Sequence, residues 1–360
     1  MTAAGVDADL FPALLDRVLD GGSLARAEAA EAMGLVMDGA LGPARIAALL
    51  AALRAKGETF EEIAGFAEAM RARVLPVPLD GADDAIDTCG TGGDRSHTFN
   101  ISTAAAFVVA GAGGRVAKHG NRAISSRCGS ADVLEALGVR IDVAPPVSAR
   151  AVREAGFGFL FAPRHHAAMK HAAPVRRDLG VRTVMNLLGP VANPAGVKRQ
   201  LVGVFARRFV EPVARALGAL GSQAAAVVHG ADGLDEATTT DETAVARLFP
   251  TGEVRVETIA PEDFGLARAL PEDLRGGDAA ANAALIRALL AGEGPRAARE
   301  IVLLNAGLAL AVAGRAATVA EGIERGRESL ASGAARRVLE RLVSITNANA
   351  NANTNTNASG

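Results

Sequence analysis

Between Asp87 and Thr103 the chain reads DTCGTGGDRSHTFNIST: glycines, two aspartates and a run of hydroxyl side chains on one short stretch. Gly90, Gly92 and Gly93 let the backbone turn sharply and present N–H groups to an anion. If Asn100 to Thr103 open a helix, its first turn adds donors and a favourable dipole. Thr98, Ser102 and Thr103 bring hydroxyls, Asn100 an amide and Asp94 a carboxylate. The spacing matches neither G-x-x-x-x-G-K-[ST] nor G-x-G-x-x-G, which excludes a P-loop and a dinucleotide fingerprint. A phosphate cradle and a tight turn with packing glycines both remain open on this loop alone.

Three further clusters carry chemistry. KHGNRAISSRCGSADVLEALG offers Lys118 as a charge for phosphate, and His119 and Asn121 as hydrogen-bonding groups. In it Ser125, Ser126, Gly129 and Ser130 form a second nest of small residues ahead of a helix. The ordinary alternatives are a buried, hydrogen-bonded histidine and, for Cys128, a small core residue. In PVRRDLG, just before the turn-rich NLLGPVANPAG, Arg176 and Arg177 could fork a carboxylate or simply be solvated. HGADGLDEATTT places Asp235 beside Glu236, a pair suited to Mg²⁺ together with phosphate oxygens but also common on surfaces.

Positioning such groups requires elements that converge. Residues 1–73 read as helices only, with Ser23 as an N-cap and Thr59 and Glu62 in capping-box spacing. LPVPLDG, at 75–81, reads as a hinge or boundary. Beyond it AIDTCGTGG, RVAKHGN, VRIDVAPP, FGFLFAP, RQLVGVF and QAAAVVHG are short apolar runs of strand length alternating with helical or loop segments. This predicts a small all-helical domain plus a larger α/β domain (74–163 and 191–345) with a central, mostly parallel sheet. Residues 164–190 read as helical and are expected to fold back onto the N-terminal helices. Residues 277–345 read as helical, and 346–360 as a low-complexity, disordered tail.

The composition limits the partners. Among 360 residues, 38 basic and 40 acidic side chains give a net charge of −2, with no global field to recruit nucleic acid or an anionic membrane. Two cysteines are too few for a disulfide framework, and no signal peptide or membrane-spanning run is read, so a cytoplasmic protein is expected. Trp and Tyr are absent, so an aromatic ligand would have to lie against Phe, aliphatic, His or Arg side chains.

Taken together and in this order, DTCGTGGD, the Lys118–Gly138 stretch, FAPRHHAAMKHAAPVRRDLGVRTVMNLLGPVANP and DGLDE resemble the anthranilate phosphoribosyltransferases. The likeness runs from the N-terminal helices to about residue 343, through IVLLNAGLALAVAG. It implies a nucleoside phosphorylase/phosphoribosyltransferase-like fold, an active site in the cleft at the hinge, and a homodimer through the helical domain. It implies transfer of the phosphoribosyl group of phosphoribosyl pyrophosphate (PRPP) to the amine of anthranilate, in tryptophan biosynthesis. Gly90, Gly92, Gly93, Asp94, Thr98, Asn100, Ser102, Thr103, Lys118 and Ser130 would then hold PRPP. Gly90, His119, Asn121, His166 and Arg176 would receive anthranilate, with His119 a candidate proton acceptor. Ser102, Asp235 and Glu236 would contact Mg²⁺, partly through pyrophosphate. The chain departs from the family pattern at Arg127–Cys128, often Lys-Ser, and at Ala167, often proline. A pyrimidine nucleoside phosphorylase-type enzyme and a nucleic-acid-binding relative of the same fold are the rival readings.

Overall fold

The structure, a computed structural model, describes residues 10–94, 96–123 and 127–348. Ser125, Ser126 and the tail from 349 onward lie outside them. The chain opens with four helices, α1 (Phe11–Leu19), α2 (Arg26–Met37), α3 (Pro43–Lys56) and α4 (Phe60–Arg71). Thr59 caps α4 in the expected box: its hydroxyl accepts from Glu62 N, and the Glu62 carboxylate accepts from Thr59 N. Ser23 does not cap α2, which starts later, with Ala25 in the capping position. Glu62, fully buried, is the reason: it takes Leu24 N (2.9 Å) and Lys56 Nζ (3.0 Å) and so fixes the chain ahead of α2.

A sheet of seven strands follows, in spatial order β3-β2-β1-β4-β5-β6-β7. Its strands are β1 (Ala85–Gly90), β2 (Arg115–Gly120), β3 (Phe157–Phe161), β4 (Arg199–Gly203), β5 (Ala224–Gly230), β6 (Thr243–Leu248) and β7 (Val254–Ile259). The pairs from β3 to β5 are parallel, and β5-β6 and β6-β7 antiparallel. The parallel strands are buried on both faces, which is why they read as continuous apolar runs.

The expected strand at VRIDVAPP is absent. That segment is a loop between α6 (Ser130–Ala136) and α7 (Pro145–Ala155), and its prolines open α7. Val139 and Ile141 are buried there as loop anchors without a strand partner, so apolarity alone misled. The β6–β7 hairpin, unassigned from sequence, has outer residues Arg255, Val256 and Glu257 exposed, a polar edge rather than a buried strand.

Residues 162–191 form four short pieces rather than one helix: α8 (Ala162–His165), a 3₁₀ turn over Ala167–His171, α9 (Ala173–Leu179) and α10 (Met185–Val191). His166, at φ −114°, and Gly180, at φ 63°, break the run. Ala172, Val175, Val184, Met185, Leu187 and Leu188 join a single apolar cluster with Phe66, Leu49 and Met33 of the N-terminal helices. The cluster continues without a gap onto one face of the sheet, through Val202, Val227 and Ala246, and onto α11 (Val210–Ala219).

The other face is covered by α5 (Ile101–Gly111), α12 (Ala279–Leu290), α13 (Arg296–Val312), α14 (Val319–Ala331) and α15 (Ala334–Asn347). α15 runs past the expected tail boundary because Thr346 is buried, donating to Leu342 O (2.8 Å) and accepting from Arg140 N (3.2 Å).

Candidate active site

The strand order reverses around β1: β2 and β3 lie on one side, β4 and β5 on the other. In an open parallel sheet such a switch point leaves a crevice at the carboxyl ends of the strands. β1, β2, β4 and β5 all end there on glycine, at Gly90, Gly120, Gly203 and Gly230. The loop after β5 brings Asp235 directly over β1 and β4. A Cβ on Gly90 would lie 2.5 Å from Asp235 Oδ2, and one on Gly203 would overlap the Asp235 carbonyl. Glycine at these two strand ends is therefore what admits the carboxylate.

Gly92 and Gly93 adopt φ 66° and 75°, the left-handed region that disfavours side chains. Gly92 N donates to Asp235 Oδ2 at 2.6 Å, which ties the glycine loop to the distant acidic pair. Gly93 O accepts from Arg182 Nη1 (2.8 Å), while that guanidinium stacks over Phe205 at 4.7 Å. Asp94 accepts from the hydroxyl of Ser96.

Burial and the nearby Asp94 push the Asp235 carboxyl well above its ordinary range. Burial and Asp235 do the same to Glu236, opposed by Lys118 and by a hydrogen bond from Ser102. Lys118 is itself buried; it donates to Thr88 O and to Ser102 Oγ (3.2 Å). Crowded carboxylates held out of water are stabilised by a cation, and all-oxygen donors of this kind suit Mg²⁺. Among the described residues no three His, Cys, Asp or Glu side chains group closely enough to hold a metal unaided. The residues present therefore fit an ion whose coordination is completed by ligand oxygens.

α5 begins at Ile101 with Asn100 in the capping position, but the Asn100 side chain does not cap it. That side chain donates to Cys128 O (3.1 Å) and accepts from Asn282 Nδ2 (3.0 Å) and Cys128 Sγ (3.3 Å). Ile101 N already donates to Phe99 O (2.8 Å), and the next first-turn N–H groups, those of Ser102 and Thr103, are left for an anion. The Thr103 side chain is fully buried and its hydroxyl has no partner among the described residues. Thr98 bridges to Arg275 through the backbone, and Ser130 Oγ donates to Asn121 O (3.3 Å).

One residue along β2 from Lys118, the His119 ring faces the other side of the crevice. Its Nδ1 lies 3.0 Å from Gly189 O, at the end of α10. A carbonyl only accepts, so Nδ1 carries the proton and Nε2 is a bare acceptor, buried and unpartnered. The His166 ring lies 4.9 Å from it, also with an unpartnered Nε2. Burial, then its neighbour His166, lowers His119 to about 3; burial, then His165, lowers His166 to about 4. Both rings are neutral near pH 7. Arg176, on α9, is half-buried; burial alone lowers its pKa, with no acid contributing. No hydrogen bond ties its guanidinium to His119 or His166.

The residues so joined are Gly90, Gly92, Asp94, Ser102, Lys118, Asp235 and Glu236 on one side, and His119 and His166 on the other. Sequence reasoning missed Asp87, Asn193 and Arg182. Asp87 and Arg182 sit inside quoted motifs, and Asn193 inside the turn-rich NLLGPVANPAG, but their partners are too far along the chain for spacing to show.

Comparison with known proteins follows the same division of the chain. A family model described as glycosyl transferase family, helical bundle domain, matches residues 12–74, and one described as glycosyl transferase family, a/b domain, matches residues 82–336. A curated anthranilate phosphoribosyltransferase from Azorhizobium caulinodans is 53% identical over 338 residues, covering 94% of this chain and 97% of its own. The crystal structure of anthranilate phosphoribosyltransferase from Thermus thermophilus superposes with a TM-score of 0.86 at 45% identity, covering 92% of this chain and 99% of that one. That of Saccharomyces cerevisiae, in complex with PRPP and Mg, gives a TM-score of 0.85 at 26% identity over 95% of this chain and 99% of its own.

Proposed function

The chain belongs to the anthranilate phosphoribosyltransferase family and transfers the phosphoribosyl group of PRPP to anthranilate in tryptophan biosynthesis; we propose that it does so in the crevice at the carboxyl ends of β1, β2, β4 and β5. The observation that carries this is the hydrogen bond from Gly92 N to Asp235, which joins the glycine loop to the acidic pair across the strand ends. Neither the nucleoside phosphorylase reading nor the nucleic-acid reading gains an observation among the described residues.

In this reading the uncapped start of α5, Gly90, Gly92, Gly93, Asp94, Thr98, Asn100, Lys118 and Ser130 bind PRPP. Ser102, Asp235 and Glu236 would hold Mg²⁺ together with pyrophosphate oxygens, and Mg²⁺ when bound neutralises charge on the departing pyrophosphate. Lys118, ordered by Thr88 O and Ser102, adds a fixed positive charge in a buried place. Anthranilate is received by Gly90, His119, Asn121, His166 and Arg176, the guanidinium taking its carboxylate. The amine attacks C1′ of the ribose as the C1′–O bond to pyrophosphate breaks, and then loses a proton. His119 Nε2 has the tautomer to accept a hydrogen bond from that amine. With its pKa lowered to about 3 it is a weak base, which suits an arylammonium formed by attack rather than the free amine. Orientation and charge neutralisation supply most of the acceleration.

We extend the reading to a cytoplasmic homodimer through the helical domain. Its support is the exposure of Leu10 and Leu19 at the two ends of α1 for the dimer, and the two free thiols for a reducing compartment. A monomer mass by sedimentation equilibrium would overturn the dimer. The transfer itself is tested by the decay of anthranilate fluorescence with PRPP and Mg²⁺, and no decay at any protein concentration would refute it.

A further inference from the structure

Beneath the crevice lies a carboxylate that no substrate role accounts for. Asp87 is fully buried at the centre of β1. Its Oδ1 accepts from the main-chain N–H of His119 (3.1 Å), and its Oδ2 accepts from Asn193 Nδ2 (2.7 Å). Asn193 stands between α10 and β4. The same Nδ2 also donates to Ala117 O in β2 (2.9 Å), and its Oδ1 accepts from Ala195 N (2.8 Å). Lys118 lies between the two points of β2 that this network grips, Ala117 O and His119 N, and its charge opposes the desolvation of Asp87.

β2 carries a side chain for each substrate, Lys118 and His119, in adjacent positions. In the register recorded for β1 and β2 only Ala85–Arg115 and Ile86–Val116 pair, at the start of both strands. Further along no β1–β2 pair is made, and the His119 N–H donates to the Asp87 carboxylate instead. The α10 end that receives His119 Nδ1, at Gly189, is four residues before Asn193 on the same connection.

We propose that Asp87 is a positioning residue that, with Asn193, holds the end of β2 at a fixed height against the α10–β4 connection and so sets Lys118 and His119 relative to each other. This rests on the assignment of Lys118 to PRPP and His119 to anthranilate. A carboxylate is required because two N–H donors converge on it; an amide has one acceptor oxygen and would turn a donor toward one of them. The effect belongs to the relative placement of two bound substrates, and displacements of about 1 Å from changes remote from the chemistry can cost on the order of 100-fold in rate.

The test is a cycle of Asp87→Asn, Asn193→Asp and the double variant, with Asn193→Ala alongside, in steady-state kinetics and thermal melts. Asp87→Asn is expected to lower kcat on the order of 10- to 100-fold, with both KM values changing less than the kcat. The double variant re-creates a donor facing an acceptor at the Asp87–Asn193 contact and is expected to recover part of the kcat lost by Asp87→Asn. Losses that simply multiply in the double variant, or a kcat within about threefold of the parent in Asp87→Asn, would overturn the proposal. If Asp87→Asn fails to fold, Asn193→Ala decides alone: a lowered kcat in a folded protein supports the proposal, and an unchanged kcat overturns it. Inactivity of the parent with PRPP and anthranilate, or an unaffected Lys118→Ala, would instead strike at the substrate assignment beneath it.

Discussion

Asp235 and Glu236 show how a weak sequence signal becomes strong once placed. A neighbouring Asp-Glu pair is common, but here Asp235 lies over Gly90 and Gly203 and is held above its ordinary pKa by burial and Asp94, and Glu236 by burial and Asp235. A carboxyl whose folded pKa is raised stabilises the fold fully only below its unfolded value, and loses that as pH rises through the folded one. Replacing both by Asn and Gln should therefore raise the ligand-free melting temperature at neutral pH. The same change should lower kcat by roughly 10²- to 10³-fold, because the cation's several kcal/mol are lost. Near-normal turnover at limiting Mg²⁺ would remove the pair from the metal. Arg176→Ala should raise the anthranilate KM by the equivalent of ~1.5–3 kcal/mol, the worth of a hydrogen bond to a charged group; an unchanged KM takes Arg176 out of the site. His166 works in the other direction with pH. Its pKa drops from 6.5 in the unfolded chain to about 4, so its stabilisation is full above 6.5 and drains away as pH falls toward 4. His166→Asn should lose less stability than the parent over that window in denaturant titrations. Parallel curves would show that the ring does not titrate as its burial requires.

At the scale of elements, close approach is what the glycines permit. Gly65 in α4 lies against α2, where an added Cβ would overlap the Arg26 carbonyl and touch Ala29 Cβ at 2.8 Å. Gly65→Ala should cost about 1–3 kcal/mol by overpacking, read as a lower melting temperature; a variant as stable as the parent would mean that the helix pair can part freely. The buried parallel strands were legible because both faces are apolar, and Thr59–Glu62 because a capping box is a local signal. The loop at Val139 and Ile141 was misread because buried anchors carry the same composition as a strand. The β6–β7 hairpin was missed although Val254-Arg255-Val256-Glu257 alternates with period two. In the site, the glycine loop and Lys118 were legible, being contiguous. The hydrogen bond from Asn193 to Asp87 was not: 106 positions separate them, and only the sheet order brings them together.

For the whole molecule, the arrangement predicts ligand-linked stability of a particular kind. Because no described trio of side chains can hold a metal alone, Mg²⁺ by itself should hardly move the melting temperature. PRPP with Mg²⁺ should move it clearly, by the equivalent of about 2.7 kcal/mol at a hundredfold excess over Kd. Equal shifts from Mg²⁺ alone would mean that the acidic pair needs no phosphate. Leu75 N donates to His165 O (2.9 Å) and Leu75 O meets His165 Nδ1 (2.8 Å), so the link between the helices and the sheet is pinned beside the histidine of the acceptor side.

The apolar cluster that joins the N-terminal helices to the sheet also sets an order of events during synthesis. Phe11, Met33, Leu49 and Phe66 emerge first from the ribosome, yet, Cys89 apart, the part of their cluster outside the N-terminal helices runs from Ala172 to Leu248. At roughly 5–20 residues per second, the first helices wait many seconds as an unfinished surface before the chain that covers them exists. The apolar faces of the N-terminal segment are thus expected to stay incompletely covered in the nascent protein until β6, the last strand with buried residues in that cluster, has been made.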